Sequence, residues 1–321
     1  MLKSGILNEV SLLLHNTQIR PTTNIVISEE EAHNYIKNSV SSLEEVLTKY
    51  YDVFPTSSEY TGYTSDVPLG IFYENMLNKN TGTVAIYGKE STVNKEKQNS
   101  LKTENDSKES SSNKKEENSS EDDETSFINK NNAKDSIMEN NAILHGDRGT
   151  INVGLAVFKD DKFVGTLSPE ETLWYSLLKN EVDKFLVSID NPNNENEKID
   201  ITLNSLSSVY FDVNVDSDKP KINIKFNLNG KILNSTDQIS IYKENIRIND
   251  DLKKHLQSKI LDYLYKTSKE YNSDIECFYK VAKKEFLTNS DLNDYNWEEN
   301  YKNAEFNIEF NDDIITNLLI E

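Results

Sequence analysis

The sequence predicts an α+β chain: mixed and antiparallel sheets with packed helices in two folded regions. Three observations predict it. Short segments alternate apolar and polar residues, as half-buried strands do. Longer segments repeat apolar residues at helical spacing behind sequence-level caps. Between the two regions, residues 89–142 carry neither period.

Residues 1–88 form the N-terminal α/β region. Leu2, Ile6, Val10, Leu13 and Leu14 recur at helical spacing and predict one apolar face. Asn24 to Ile27 reads as a short strand. Ser28 and Glu31 have the spacing of a capping box, with Ala32, Tyr35 and Ile36 on the buried side of the helix behind it. Ser42 and Glu45 repeat the spacing, with Leu43, Val46, Leu47 and Tyr50 as core positions. Asp66 with Pro68 opens a further helix bearing Leu69, Tyr73, Met76 and Leu77. Thr83 to Tyr87 reads as a strand.

Residues 89–142 are a disordered polar insertion. Phe127 is their sole aromatic residue, and runs such as Glu121-Asp122-Asp123-Glu124 have no apolar period. The segment holds 9 Lys and 13 Asp or Glu, so most of the chain's net charge of −20 belongs to the folded parts.

Residues 143–321 form the C-terminal α+β region. Ile151 to Phe158 and Lys162 to Gly165 flank Lys159-Asp160-Asp161 as a hairpin. Ser168-Pro169-Glu170-Glu171 then starts a helix: Ser168 caps, Pro169 takes the first helical position, and Glu171 closes the box. Leu173, Trp174, Leu177 and Leu178 make its apolar face. Strands follow, clearest in Lys221 to Asn229, where Ile222, Ile224, Phe226 and Leu228 alternate with polar residues. A long helix is expected from Asp251 to Phe286, with Leu252, Leu256, Ile260, Leu264 and Tyr271 along one side. A last strand carries Phe306, Ile308 and Phe310 inward.

Composition narrows the function classes. A net charge of −20 argues against nucleic acid, whose phosphates require clustered Lys and Arg. It equally disfavours electrostatic docking on anionic lipid. No apolar run approaches the roughly 18 residues of a spanning helix. Met1-Leu2-Lys3-Ser4-Gly5 lacks the apolar core of a signal peptide. The single cysteine, Cys277, excludes a disulfide within the chain and reads as a buried structural thiol.

The sequence offers no catalytic, cofactor-binding or metal-binding residue. With ten glycines there is no phosphate-cradling array, and Gly146-Asp147-Arg148-Gly149 reads as a turn. His15, His33, His145 and His255 stand far apart, without the close spacing of zinc ligands. Asp212-Val213-Asn214-Val215-Asp216 begins like a calcium loop, but Ser217 replaces the turn glycine and Asn223 the bidentate glutamate. The wet face of a strand explains it better. Trp174 and Trp297 are the candidates for stacking a sugar, and core packing is the competing reading for both.

Four segments in this order resemble the Ger(x)C family, the C subunits of spore-germination nutrient receptors. His15-Asn16-Thr17-Gln18-Ile19-Arg20-Pro21-Thr22-Thr23 with Ile25 to Ile27 is similar to the family's "RdpeiRptt" segment and strand. Gly154 to Gly165, GLAVFKDDKFVG, resembles its "G-x-AVF-x-x-dklvG" hairpin. Glu170, Glu171 and Thr172 match its "L-x-x-eET" helix. Tyr271-Asn272-Ser273-Asp274-Ile275 resembles "y-x-sDi", and Trp297 precedes the last strand as in the family. Departures are His15 in place of Arg, Glu276-Cys277-Phe278-Tyr279 where the family has a glycine, the insertion 89–142, and the absence of a signal peptide and lipid-accepting cysteine.

The resemblance implies a non-catalytic lipoprotein subunit on the outer face of the spore's inner membrane, with no cofactor. Its partners would be an integral-membrane and a partly soluble receptor subunit, and the membrane through a lipid anchor not present in this chain. An exported sugar- or cell-wall-binding protein is the alternative, and an enzyme the third reading. With Met1 inside the family's first domain, Val10, Leu13 and Ile25 are expected to stay partly exposed.

Overall fold

The computed structural model describes residues 2–39, 61–90, 150–191, 194–234 and 245–315. The expected helix around Ser42 and Glu45, the insertion beyond residue 90, His145 and the turn Gly146 to Gly149 lie outside these. The chain divides into two compact units. The first comprises residues 1–27, 52–87 and 153–321, and the second residues 28–51 and 88–152.

In the first unit, helix α1 (Leu7–His15) buries Val10. The backbone N–H of Ile6 donates to the carbonyl of Asp161 at 3.0 Å and that of Phe163 to Leu2 at 3.0 Å, so the N-terminal segment closes onto the hairpin. Val10 is therefore buried, against expectation, whereas Leu13 is 45 % exposed and Ile25 half-buried. Strand β1 (Val26–Ser28) follows. Helix α2 (Ala32–Asn38), in the second unit, has no Ser28 capping box: Ser28 is still strand, and its hydroxyl donates to the Glu30 carbonyl at 2.7 Å. Beside α2, the Tyr35 hydroxyl donates to Asn152 Oδ1, and the Ser39 and Thr150 hydroxyls pair at 3.0 Å.

Helix α3 (Leu69–Leu77) starts after Pro68 and buries Leu69, Phe72 and Met76. Strands β2 (Thr83–Glu90), β3 (Thr150–Lys159) and β4 (Lys162–Leu167) join β1 in one sheet of order β1-β2-β3-β4. Thus β2, which precedes the polar insertion, and β3, which follows it, are neighbours. The β3–β4 hairpin is the expected antiparallel one, with a register shift after Val157.

Helix α4 (Pro169–Leu178) has the full capping box: Ser168 Oγ accepts from Glu171 N at 3.2 Å, and Glu171 Oε2 accepts from Ser168 N at 2.7 Å. Every residue from Thr172 to Leu178 is buried. A helix with one apolar face was expected, but this one is enclosed on all sides. Strands β5 (Lys184–Asn191), β6 (Asn194–Ser205) and β9 (Leu228–Asn234) form an antiparallel sheet of order β5-β6-β9. A third sheet has the order β10-β8-β7, from β7 (Tyr210–Asn214), β8 (Lys221–Phe226) and β10 (Glu305–Phe310). β7 runs antiparallel to β8, and β10 parallel.

The single strand expected from Lys221 to Asn229 is therefore two, parting at Asn227, whose carbonyl accepts from Leu206 N at 2.8 Å. All four predicted core residues, Ile222, Ile224, Phe226 and Leu228, are buried nonetheless. Asp212 and Asn214 lie on the exposed face of β7 while Val213 is buried. Asp212 accepts from the Asn223 amide at 3.3 Å, so the calcium-like stretch is strand and not loop.

Helix α5 (Asn245–Tyr265) buries Leu252, Leu256, Ile260 and Leu264 along one stripe and packs against α4, β5 and β10. It does not continue to Phe286. It widens into a π-turn at Lys266–Glu270 and stops. After an irregular segment come α6 (Tyr279–Ala282), α7 (Asn289–Tyr295) and α8 (Trp297–Tyr301). Trp174 and Trp297 are each 2 % exposed in the core. Trp174 meets Phe185 edge-on and Trp297 stacks on Tyr301. Neither indole presents a face on which a sugar could stack.

Candidate functional site

The chemistry-bearing side chains of the first unit gather where α5 ends. The π-turn places Tyr271 N on the Lys266 carbonyl at 3.1 Å, the i→i−5 bond that a π-turn makes. Its first residue, Lys266, sends its ammonium to Glu171 Oε1 at 2.8 Å and to the Thr166 carbonyl at 3.2 Å. One carboxylate, Glu171, thus caps α4 and anchors α5. These bonds to Glu171 raise the Lys266 pKa against the opposing pull of its partial burial.

Tyr271 donates its hydroxyl to the Thr166 carbonyl at 2.8 Å, and its ring lies against Gly165. A Cβ on Gly165 would fall 2.4 Å from that ring. Ser273 Oγ donates to the Phe158 carbonyl at 2.8 Å. It sits where a Cβ on Gly82 would lie, 1.9 Å away, and Gly82 N donates to the Asp274 carbonyl at 2.9 Å. The segment Tyr271 to Ile275 is thereby keyed into the hairpin and into the start of β2.

Asp274 is buried, and its carboxylate accepts from Phe278 N at 2.9 Å and from Tyr279 N at 2.8 Å, capping the first turn of α6. Burial pushes its pKa up to about 6, against the lowering effect of those two bonds. Two residues on, burial pushes Glu276 up to about 7, although the Tyr263 hydroxyl donates to its Oε1. Its other oxygen has no protein partner. The Trp297 indole N–H leans toward Asp274 without reaching hydrogen-bond geometry.

Cys277 lies between these groups, not in a helix as expected. It is 9 % exposed and has φ +63°, in the left-handed region that glycine occupies without strain. Burial pushes the thiol pKa up, and Lys179 Nζ approaches Sγ at 3.7 Å.

His15 and His33 are exposed, with His15 Nδ1 beside the Ser11 carbonyl at 2.7 Å; His255 is half-buried and its pKa is lowered by that burial. Among the described residues, no three His, Cys, Asp or Glu side chains come together to hold a metal. Sequence reasoning missed Glu276 and Lys266 because both read as wet positions on a continuous helix. The turn-forming run Asn272-Ser273-Asp274 was the available signal that the helix stops.

Residues 153–317 match the family described as spore germination B3/GerAC like, C-terminal. The chain belongs to that family. The matched segment holds every contact of the π-turn described above except those from Gly82. The crystal structure of the GerBC protein is similar in fold, with a TM-score of 0.62 at 10 % identity, covering 97 % of this chain and 74 % of that one. That likeness establishes the α+β architecture. No curated protein sequence matches the chain. In this GerAC-like chain Tyr271 lies against Gly165 of the hairpin, while Ser273 bonds the Phe158 carbonyl and Asp274 the first turn of α6. No helix among the described residues is long and apolar enough to cross a membrane.

Proposed function

We propose that this GerAC-like chain is a non-catalytic subunit of a spore germinant receptor, required for nutrient-triggered germination. It assembles with an integral-membrane and a partly soluble subunit at the outer face of the spore inner membrane, held there by a lipid anchor. One observation carries the non-catalytic part. The polar atoms of the signature residues bond to the chain's own backbone: Ser273 to Phe158, Tyr271 to Thr166, Asp274 to Phe278 and Tyr279, and Glu171 to Ser168. These bonds engage the signature residues in holding the fold, which supports a structural role for them.

Deletion of the gene followed by germination assays on single nutrients tests the reading. Spores lacking the chain should fail to respond to at least one nutrient while still germinating with a non-nutrient trigger. The chain should also co-purify with a multi-spanning membrane protein from the inner-membrane fraction. Normal germination on every nutrient, with the chain recovered free of membrane proteins, would remove the proposal.

A further inference from the structure

A small cavity of about 10 Å³ lies in the first unit where Thr81, Asp274, Trp297 and Tyr301 meet. Roughly 10–15 Å³ of such space holds one water molecule, so the size admits a ligand of a single heavy atom. All four residues are buried, none more than 4 % exposed.

Three polar groups here share one property. The Thr81 hydroxyl, the Trp297 indole N–H and the Tyr301 hydroxyl are out of solvent contact and bond to no group among the described residues. Their neighbours are already committed. Thr267 approaches the Tyr301 hydroxyl, but its own hydroxyl donates to the Leu264 carbonyl at 3.0 Å. Ser273, also in the lining, donates to the Phe158 carbonyl at 2.8 Å. A buried polar group forfeits its hydrogen bonds unless a ligand or water supplies them. Asp274 acts on the Tyr301 hydroxyl, and the Trp297 indole acts on Asp274, so these groups surround one point. Each Asp274 oxygen accepts one backbone N–H, and a carboxylate oxygen has a lone pair to spare beyond that.

The lining discriminates among ligands of that size. An indole N–H only donates, so it repels a metal ion or an ammonium. A halide would meet the Asp274 carboxylate. The other charges of the lining add no preference: Lys159 pairs with Glu298, and Lys79 is exposed beside Asp160. A neutral molecule with two donors and two acceptors satisfies the whole set. We propose that this cavity binds one water molecule. It accepts from the Trp297 indole and the Thr81 hydroxyl, and it donates to the Asp274 carboxylate and the Tyr301 oxygen. It thereby ties α8 to the Tyr271 to Ile275 segment and to the residues before β2, beside the contact that Gly82 makes with Ser273.

Nuclear magnetic resonance of the full chain, isotopically labelled at its tryptophan nitrogens, tests it. The Trp297 indole proton should show a dipolar cross-peak to water with opposite signs in the laboratory and rotating frames. That is the mark of a held water, since surface water and proton exchange both give equal signs. A hydroxyl proton that exchanges with solvent could relay such a peak, so two shape-conserving variants separate the sources. Thr81→Val and Tyr301→Phe each remove one hydroxyl. In each folded variant the cross-peak should persist, because the water remains, and the indole resonance should shift, because the water has lost one of its four bonds. Three results would each overturn the proposal: no such cross-peak in the parent chain, its disappearance in either folded variant, or an indole resonance that neither variant moves.

Discussion

Replacing Gly82 by alanine should be among the most damaging single-methyl changes in this chain, and its cost should depend on Ser273. The added Cβ would lie 1.9 Å from Ser273 Oγ, 2.8 Å from Ile275 Cγ2 and 3.1 Å from the Phe158 carbonyl. Oγ cannot move aside freely, because it donates to that same carbonyl at 2.8 Å. Overpacking of this kind costs about 1–3 kcal/mol. Displacing the Ser273 hydrogen bond adds about 0.5–1.5 kcal/mol. Gly82→Ala should therefore lose about 2–4 kcal/mol, a large share of the roughly 5–15 kcal/mol that holds a domain folded. Ser273→Ala alone removes one buried hydrogen bond, for about 1–2 kcal/mol. In the double variant the worst clash is gone, so its loss should fall short of the sum by about 1–2 kcal/mol, well outside the roughly 0.5 kcal/mol within which independent sites add. Urea denaturation of the four chains, fitted with a shared m-value, measures this coupling. Additive losses, or a Gly82→Ala chain within about 0.5 kcal/mol of the parent, would refute the interlock between the start of β2 and the Tyr271 to Ile275 segment.

Three other outcomes follow from the same region. Asp274 and Glu276 both have folded pKa values, about 6 and about 7, above their ordinary 3.8 and 4.5. The folded chain therefore gains protons over the unfolded one as pH falls, and this contribution to stability grows from about pH 7 down to about pH 4. Glu276→Gln keeps an acceptor for Tyr263 and removes the charge, so it should raise the melting temperature at pH 8 and flatten the rise between pH 8 and 5.5; a lower melting temperature at pH 8 would contradict the burial argument. At Cys277, φ +63° should make Cys277→Gly cost less than about 1 kcal/mol and Cys277→Val more than about 2 kcal/mol, read by thermal unfolding. Glu171→Ala should cost about 2 kcal/mol by removing a cap and the Lys266 partner together, whereas Glu170→Ala, beside the more exposed Lys259, should cost under about 1 kcal/mol; equal losses would sink the double role of Glu171.

The sequence announces those parts of the fold that local chemistry alone dictates. The Ser168-Pro169-Glu170-Glu171 run contains both partners of its capping box, and the box forms. Strand β10 alternates with its pleat, and alternation decides which face is buried, whereas β3 is buried along nearly its whole length. It does not decide strand direction, so the parallel pairing of β10 with β8 was not legible. Ser28 and Glu31 have cap spacing but the wrong context, because Ser28 is held in β1. The largest departure is at Tyr271 and Ile275, which continue an apolar helical period beyond the helix itself. The sequence spacing of these two residues suits a continuous helix, so periodicity alone carries no mark of the π-turn before them. The consequence for the site is direct. Asp274, Glu276 and Cys277 are brought into the interior by a break that the period conceals, and carboxylates in a helix read by default as solvated.

That burial also bears on why the family pattern is readable in this sequence. A sequence pattern survives in readable form where several constraints meet on one residue, and such points arise in interiors as readily as at catalytic centres. Gly165 must be bare because a tyrosine ring lies on it. Glu171 must be an acid because it serves a helix start and a lysine from another helix. Asp274 must present two oxygens because two backbone N–H groups point at it. Each requirement is met inside the chain, so a change at any of them acts first on folding, and loss of germination in such variants should track the amount of protein. Under the proposed function, contacts with other subunits belong to exposed positions, where a change leaves abundance intact and alters assembly alone. Measuring the two quantities separately in spores distinguishes residues that build the subunit from residues that connect it.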